Sequence, residues 1–227
     1  KNRGKGQGQS FVSKVLKQAG KASSGKSAVR RPGAAATGQR PGSRLGRGHT
    51  AARFAGAHAR VYLHAGVPQS RARRIEAQGA DIVWVDGTYD DAVDAAAQAA
   101  RSGAGILVAD TTDDPDDPVV RDVMAGYGVM AAEIREQVEA AGHERPTHLF
   151  VQAGVGGLAA AMAEGLGGWI AAPGAIIVVE PETAPAVAAA LAAGRTVRVE
   201  GELETTAGML SCGEASAPAL KVLRRHK

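Results

Sequence analysis

The feature that most constrains this chain is a glycine-rich turn held between an apolar run and an alanine-rich run. Thr147-His148-Leu149-Phe150 reads as the end of a buried strand, and Ala159-Ala160-Ala161-Met162-Ala163 as the start of a helix. Between them lies Val151-Gln152-Ala153-Gly154-Val155-Gly156-Gly157-Leu158. Glycines at a strand-to-helix turn let backbone N–H groups approach an anion with no Cβ in the way. The helix N-terminus adds partial positive charge at the same point. The pattern implies a cup for one compact phosphate. The alternative is a tight turn that holds no ligand. A dinucleotide fingerprint would need glycine where Ala159 stands, and no Gly-Lys-Ser/Thr follows to make a P-loop.

Strand and helix signals alternate on either side of this turn. Residues 59–64, 81–85, 106–109, 148–151 and 175–179 read as strands. Residues 68–78, 89–102, 119–141 and 158–166 read as helices, and a last helix contains Leu220-Lys221-Val222-Leu223. This alternation predicts an α/β fold, a mostly parallel open sheet with helices on both faces. Ligands of such sheets sit at the carboxyl ends of the strands, where Asp110, Gln152 to Gly157 and Glu180 fall. Asp110 also reads as a helix cap or part of a solvated loop, and Glu180 as a structural carboxylate.

Charge divides the chain unevenly. Up to Ile75 there are 17 Lys and Arg and no acid; from Glu76 onward 10 Lys and Arg face 23 Asp and Glu. Residues 1–50 are basic, rich in Gly and Ser and weakly periodic, so they read as a disordered or non-native segment before an α/β domain at 51–227. A change of reading frame near residue 50 would produce the same charge break. Nucleic-acid recognition by the basic arm is not expected, because only Phe11 and Phe54 are available there for stacking. The single cysteine, Cys212, excludes an intrachain disulfide framework and reads as a buried thiol. The six histidines show no metal-ligand spacing. With no apolar run of about 18 residues, no membrane span is expected, and the cytoplasm is the default location.

The ordered series of short motifs resembles the diaminopropionate ammonia-lyases, fold-type II pyridoxal 5'-phosphate (PLP) enzymes of the tryptophan synthase β / threonine dehydratase class. The glycine loop and its strand carry the resemblance first. Val61-Tyr62-Leu63-His64-Ala65-Gly66-Val67-Pro68 with Ala72-Arg73-Arg74-Ile75 agrees with it. So do Gly79-Ala80-Asp81, Asp86-Gly87-Thr88-Tyr89-Asp90-Asp91, Val108-Ala109-Asp110-Thr111 and Met124-Ala125-Gly126-Tyr127-Gly128. Ile177-Val178-Val179-Glu180-Pro181 and Ser211-Cys212-Gly213-Glu214 complete the order.

The resemblance implies a partial chain of a PLP-dependent lyase that eliminates ammonia from 2,3-diaminopropionate to give pyruvate. A threonine or serine dehydratase, or a non-catalytic remnant of the same fold, is the alternative. Backbone groups of Gly154, Val155, Gly156, Gly157 and Leu158 would hold the cofactor phosphate. Asp110 would line the substrate side as a proton-transfer group, and Lys14 would be the Schiff-base lysine. A small amino-acid substrate and a homodimer are implied with them. The family's Gly-Asn-His-Gly motif has no counterpart here, since Gly42-Ser43-Arg44-Leu45-Gly46-Arg47-Gly48-His49 stands in its place without Asn. The family's C-terminal part, with its contact to the pyridine nitrogen, is likewise expected to be missing.

Overall fold

The computed structural model of the chain describes residue 52 and residues 56–226. The expectations for residues 1–50, Lys14 among them, lie outside the described residues. The chain divides into two compact units, one up to Leu107 and one from Val108.

In the first unit, strand β1 (Arg60–His64) is followed by helix α1 (Gln69–Glu76), strand β2 (Asp81–Val85) and helix α2 (Tyr89–Arg101). β1 and β2 pair in parallel, with Arg60 opposite Asp81 and His64 opposite Val85. Leu63, Val67, Ala72, Ile75 and Ala80 form a small core. α2 starts on a capping box. Asp91 N–H donates to Thr88 Oγ1 at 3.3 Å, and Thr88 N–H donates back to Asp91 Oδ2 at 2.6 Å. Two of the helix's orphan donors are satisfied this way.

The second unit begins with helix α3 (Pro118–Ala140), then strand β3 (His148–Gln152), helix α4 (Gly157–Leu166), strand β4 (Ala175–Val179), helix α5 (Ala186–Ala193) and helix α6 (Ala217–Leu223). β3 and β4 pair in parallel from His148 opposite Ala175 to Gln152 opposite Val179. Strand alternation turns Leu149, Val151, Ile176 and Val178 to the core. That core is built mainly from α3, α4, α5 and α6, with Val120, Met124, Tyr127, Leu166 and Val187 among its buried members.

The parallel α/β reading holds, but the described strands make two separate two-stranded sheets. The expected strand at 106–109 does not form. Its apolar residues are right for a strand, yet no neighbour among the described residues supplies a hydrogen-bond ladder, and Ile106 and Val108 are exposed. α5, unheralded by any polar cap in the sequence, adds a helix after β4. No helix among the described residues is long and apolar enough to cross a membrane.

Candidate active site

β3 and β4 end side by side, and the ladder extends one step into the turn: Ala153 N–H donates to Val179 O at 2.9 Å. The chain then enters the glycine loop. Residues 153–157 are all buried. Gly156 caps α4 with φ +93°, a left-handed conformation that glycine adopts without steric cost. Among the described residues, no side chain caps this helix. An α-helix leaves its first N–H groups without intrahelical acceptors, and a buried donor needs a partner. The start of α4 therefore presents desolvated, uncapped donors at a positive helix end.

Neighbouring elements fix the loop from several sides. A Cβ on Gly156 would lie 3.0 Å from Val187 Cγ2 of α5 and 3.4 Å from Ala219 Cβ of α6. A Cβ on Gly157 would lie 3.5 Å from Met124 Cγ of α3. Ser216 N–H donates to Val155 O at 2.9 Å, and Ala217 N–H donates to Thr112 O at 2.9 Å. The entrance of α6 thus ties the glycine loop to the segment that carries Asp110. The Ser216 hydroxyl is fully buried and has no hydrogen-bond partner among the described residues. Ser-Ala-Pro is a helix-start signature, with Pro in the first turn. Here, however, the serine side chain makes no cap.

Glu180 follows β4 directly. Its Oε1 accepts from Val187 N–H at 2.7 Å and its Oε2 from Ala188 N–H at 2.8 Å. Burial pushes its carboxyl above the ordinary value, against the opposing pull of those two donors. The structural reading of Glu180 holds: it anchors the first turn of α5.

Asp110 is half-buried and has an interaction partner of its own. The acidic residues after it have structural tasks. Asp117 Oδ1 caps α3 by accepting from Val119 N–H at 2.8 Å and Val120 N–H at 2.9 Å. Asp116 pairs with Lys221 at 2.7 Å, an exposed contact whose hydrogen bond and charge pull its carboxyl below the ordinary value. Cys212 is a buried thiol with an interaction of its own. Among the described residues, no group of three or more His, Cys, Asp or Glu could hold a metal ion.

A parallel β-loop-α unit with a buried glycine turn at the strand ends has the geometry of an anion-binding α/β turn. The chain belongs to the family of pyridoxal-phosphate dependent enzymes, whose family model matches residues 49–227. It is similar to the diaminopropionate ammonia-lyase of Escherichia coli K12, with 34% identity over 179 residues, covering 77% of this chain and 44% of that one. An L-threonine dehydratase of Mycobacterium leprae is 35% identical over 154 residues, covering 66% of this chain and 33% of that one. Among solved structures, E. coli diaminopropionate ammonia-lyase in complex with an aminoacrylate-PLP azomethine reaction intermediate superposes with a TM-score of 0.69. Its identity is 31%, over 79% of this chain and 45% of that one. The threonine deaminase of T.th. gives a TM-score of 0.64 at 26% identity, over 78% of this chain and 54% of that one. The chain spans less than half the length of the diaminopropionate ammonia-lyases it matches.

The residues present fit the cofactor's phosphate. The loop offers buried donors without a side-chain cap, close-packed glycine backbone and no carboxylate of its own. These are the properties a phosphate dianion requires of a binding turn.

Proposed function

We propose that this chain carries the phosphate-anchoring part of a PLP-dependent ammonia-lyase acting on 2,3-diaminopropionate. The observation that carries the proposal is the buried, uncapped start of α4, with Gly156 at φ +93°. Backbone N–H groups of Gly154, Val155, Gly156, Gly157 and Leu158 would hold the cofactor phosphate. Burial of residues 153–157 excludes water from those donors and strengthens their hold on an anion. Bound PLP would supply an electron sink for loss of the α-proton and departure of the β-amino group as ammonia; hydrolysis of the released product frees the α-nitrogen as a second ammonia and leaves pyruvate. Lys14 Nζ takes the α-proton, and the Asp110 carboxylate, on the segment tied to the loop through Ser216 and Ala217, moves a proton on the substrate side. The substrate is a small amino acid. A cytoplasmic homodimer is the proposed setting.

A threonine or serine dehydratase is the second reading, favoured by the 35% identity to the M. leprae enzyme. The lack of Asn in Gly42-Ser43-Arg44-Leu45-Gly46-Arg47-Gly48-His49, where the Gly-Asn-His-Gly motif is expected, favours a third, a non-catalytic protein of the same fold.

Addition of PLP to the full chain tests the proposal. The expected result is an absorbance band near the visible edge, fixed by borohydride on a peptide containing Lys14, with ammonia released from 2,3-diaminopropionate faster than from threonine or serine. A reduced chain with no lysine adduct overturns the catalytic reading. An adduct with threonine as the preferred substrate replaces the ammonia-lyase reading by the dehydratase one.

A further inference from the structure

We infer that Glu180 is a positioning residue for the glycine loop, acting through Val187 of α5. α5 has the sequence AVAAALAA and spans 8 residues; its N-cap is Pro185, with no side-chain cap. A helix this short is marginal on its own, so its placement must come from outside contacts. Glu180 supplies the most directed one. Both carboxylate oxygens are used, on two successive N–H groups of the first turn, at 2.7 and 2.8 Å. A bidentate acceptor of this kind fixes both the position of the helix end and its rotation. Negative charge there also complements the helix dipole.

The rotation decides where Val187 points. Val187 donates its N–H to Glu180, and the residue is 1% exposed. Its Cγ2 is the atom nearest to the space a Gly156 Cβ would occupy. Gly156 is the left-handed residue that opens α4. The carboxylate therefore reaches the loop in two steps, from Glu180 to the α5 backbone and from the Val187 side chain to Gly156. Rotation of α5 would withdraw the wall against which the loop closes. For the proposed cofactor site, which this inference rests on for its consequence but not for its geometry, the effect is to hold the phosphate donors in register.

Hydrogen–deuterium exchange on the full chain tests this in the variants Glu180→Ala, Glu180→Gln and Val187→Ala. The peptide over residues 128–140 of α3 serves as an internal control. In Glu180→Ala, exchange should accelerate by roughly tenfold or more in both α5 and residues 152–160, the loss expected for hydrogen bonds to a charged group. The control should stay unchanged. Glu180→Gln should fall between wild type and Glu180→Ala, because its amide keeps one acceptor oxygen and turns a donor toward the second N–H. Val187→Ala should accelerate the loop while the first turn of α5 keeps its protection.

The inference is overturned if Glu180→Ala frees α5 and leaves the loop at wild-type protection. It is equally overturned if loop, α5 and control accelerate together. PLP titrations of the same variants should weaken in the same order as the loop opens. If wild type binds no PLP, the proposed function fails, and the exchange pattern alone decides the role of Glu180.

Discussion

Gly156 shows how much of the site rests on one backbone conformation. Its φ of +93° lies where an L-residue costs about 1–3 kcal/mol. An added methyl would also come within 3.0 Å of Val187 Cγ2, a side chain already fixed in the core. Gly156→Ala is therefore expected to destabilise the chain by at least about 1–3 kcal/mol and to weaken PLP binding, because α4 can no longer start where the loop delivers it. Urea unfolding monitored by circular dichroism checks the first part; an unchanged midpoint would contradict it. The sequence marks the turn plainly through Gly154, Gly156 and Gly157, but not the division of labour among them. Of those three, only Gly156 takes positive φ. Which glycine bears the turn depends on α5 and α6, which come later in the chain and pack against it. The acidic run teaches the same lesson. Asp116 and Asp117 are adjacent and chemically identical, yet one pairs with Lys221 and the other caps α3. Only the positions of α6 and α3 separate them.

At the scale of elements, α3 and α4 meet through small residues. A Cβ on Gly165 of α4 would lie 2.6 Å from Ala131 Cβ of α3, so the two helices can keep this approach only while position 165 has no side chain. Gly128 of α3 has nothing within 4 Å of its Cβ position. The two glycines make a matched pair of tests. Gly128→Ala should stabilise the chain by about 0.5–1 kcal/mol, since alanine loses less backbone entropy in a helix. Gly165→Ala gains the same propensity but must push the helices apart, and an overpacking cost of about 1–3 kcal/mol wins. Opposite signs in thermal unfolding are the expected outcome; stabilisation by both would show that the helix interface yields freely. Helices α1 to α4, α6 and four strands were legible because apolar periodicity and caps are local signals. The run at 106–109 has the composition of a strand, but a strand exists only where another strand pairs with it, and that information is not local. α5 was illegible for the opposite reason. Its alanines show no polar face, and its anchor is Glu180, outside the helix and upstream of it.

At the scale of the molecule, the alternation of strands and helices was enough to give the parallel α/β class, while the extent of each sheet was not. Parallel sheets are normally covered on both faces. Among the described residues of its own unit, the β3–β4 pair is covered on one: Leu149, Val151, Ile176 and Val178 pack into the core. Phe150, Ile177 and Val179 lie on the other face by strand alternation and register, and Phe150 is 68% exposed and Val179 44%. A contiguous apolar strip on a sheet face is a strong driver of association. The chain should therefore self-associate with rising concentration, and the double variant Phe150→Lys/Val179→Lys should remain smaller at every concentration. Neither replacement touches the core face, so the variant's circular dichroism spectrum should match that of the parent. Sedimentation velocity across a concentration series reads the result. A parent that stays monomeric throughout would show that this face is not the one that governs assembly. A double variant that associates as the parent does would place the driving contact elsewhere, on surfaces such as those around Val129 and Met130 of α3, which are exposed at 59% and 43%.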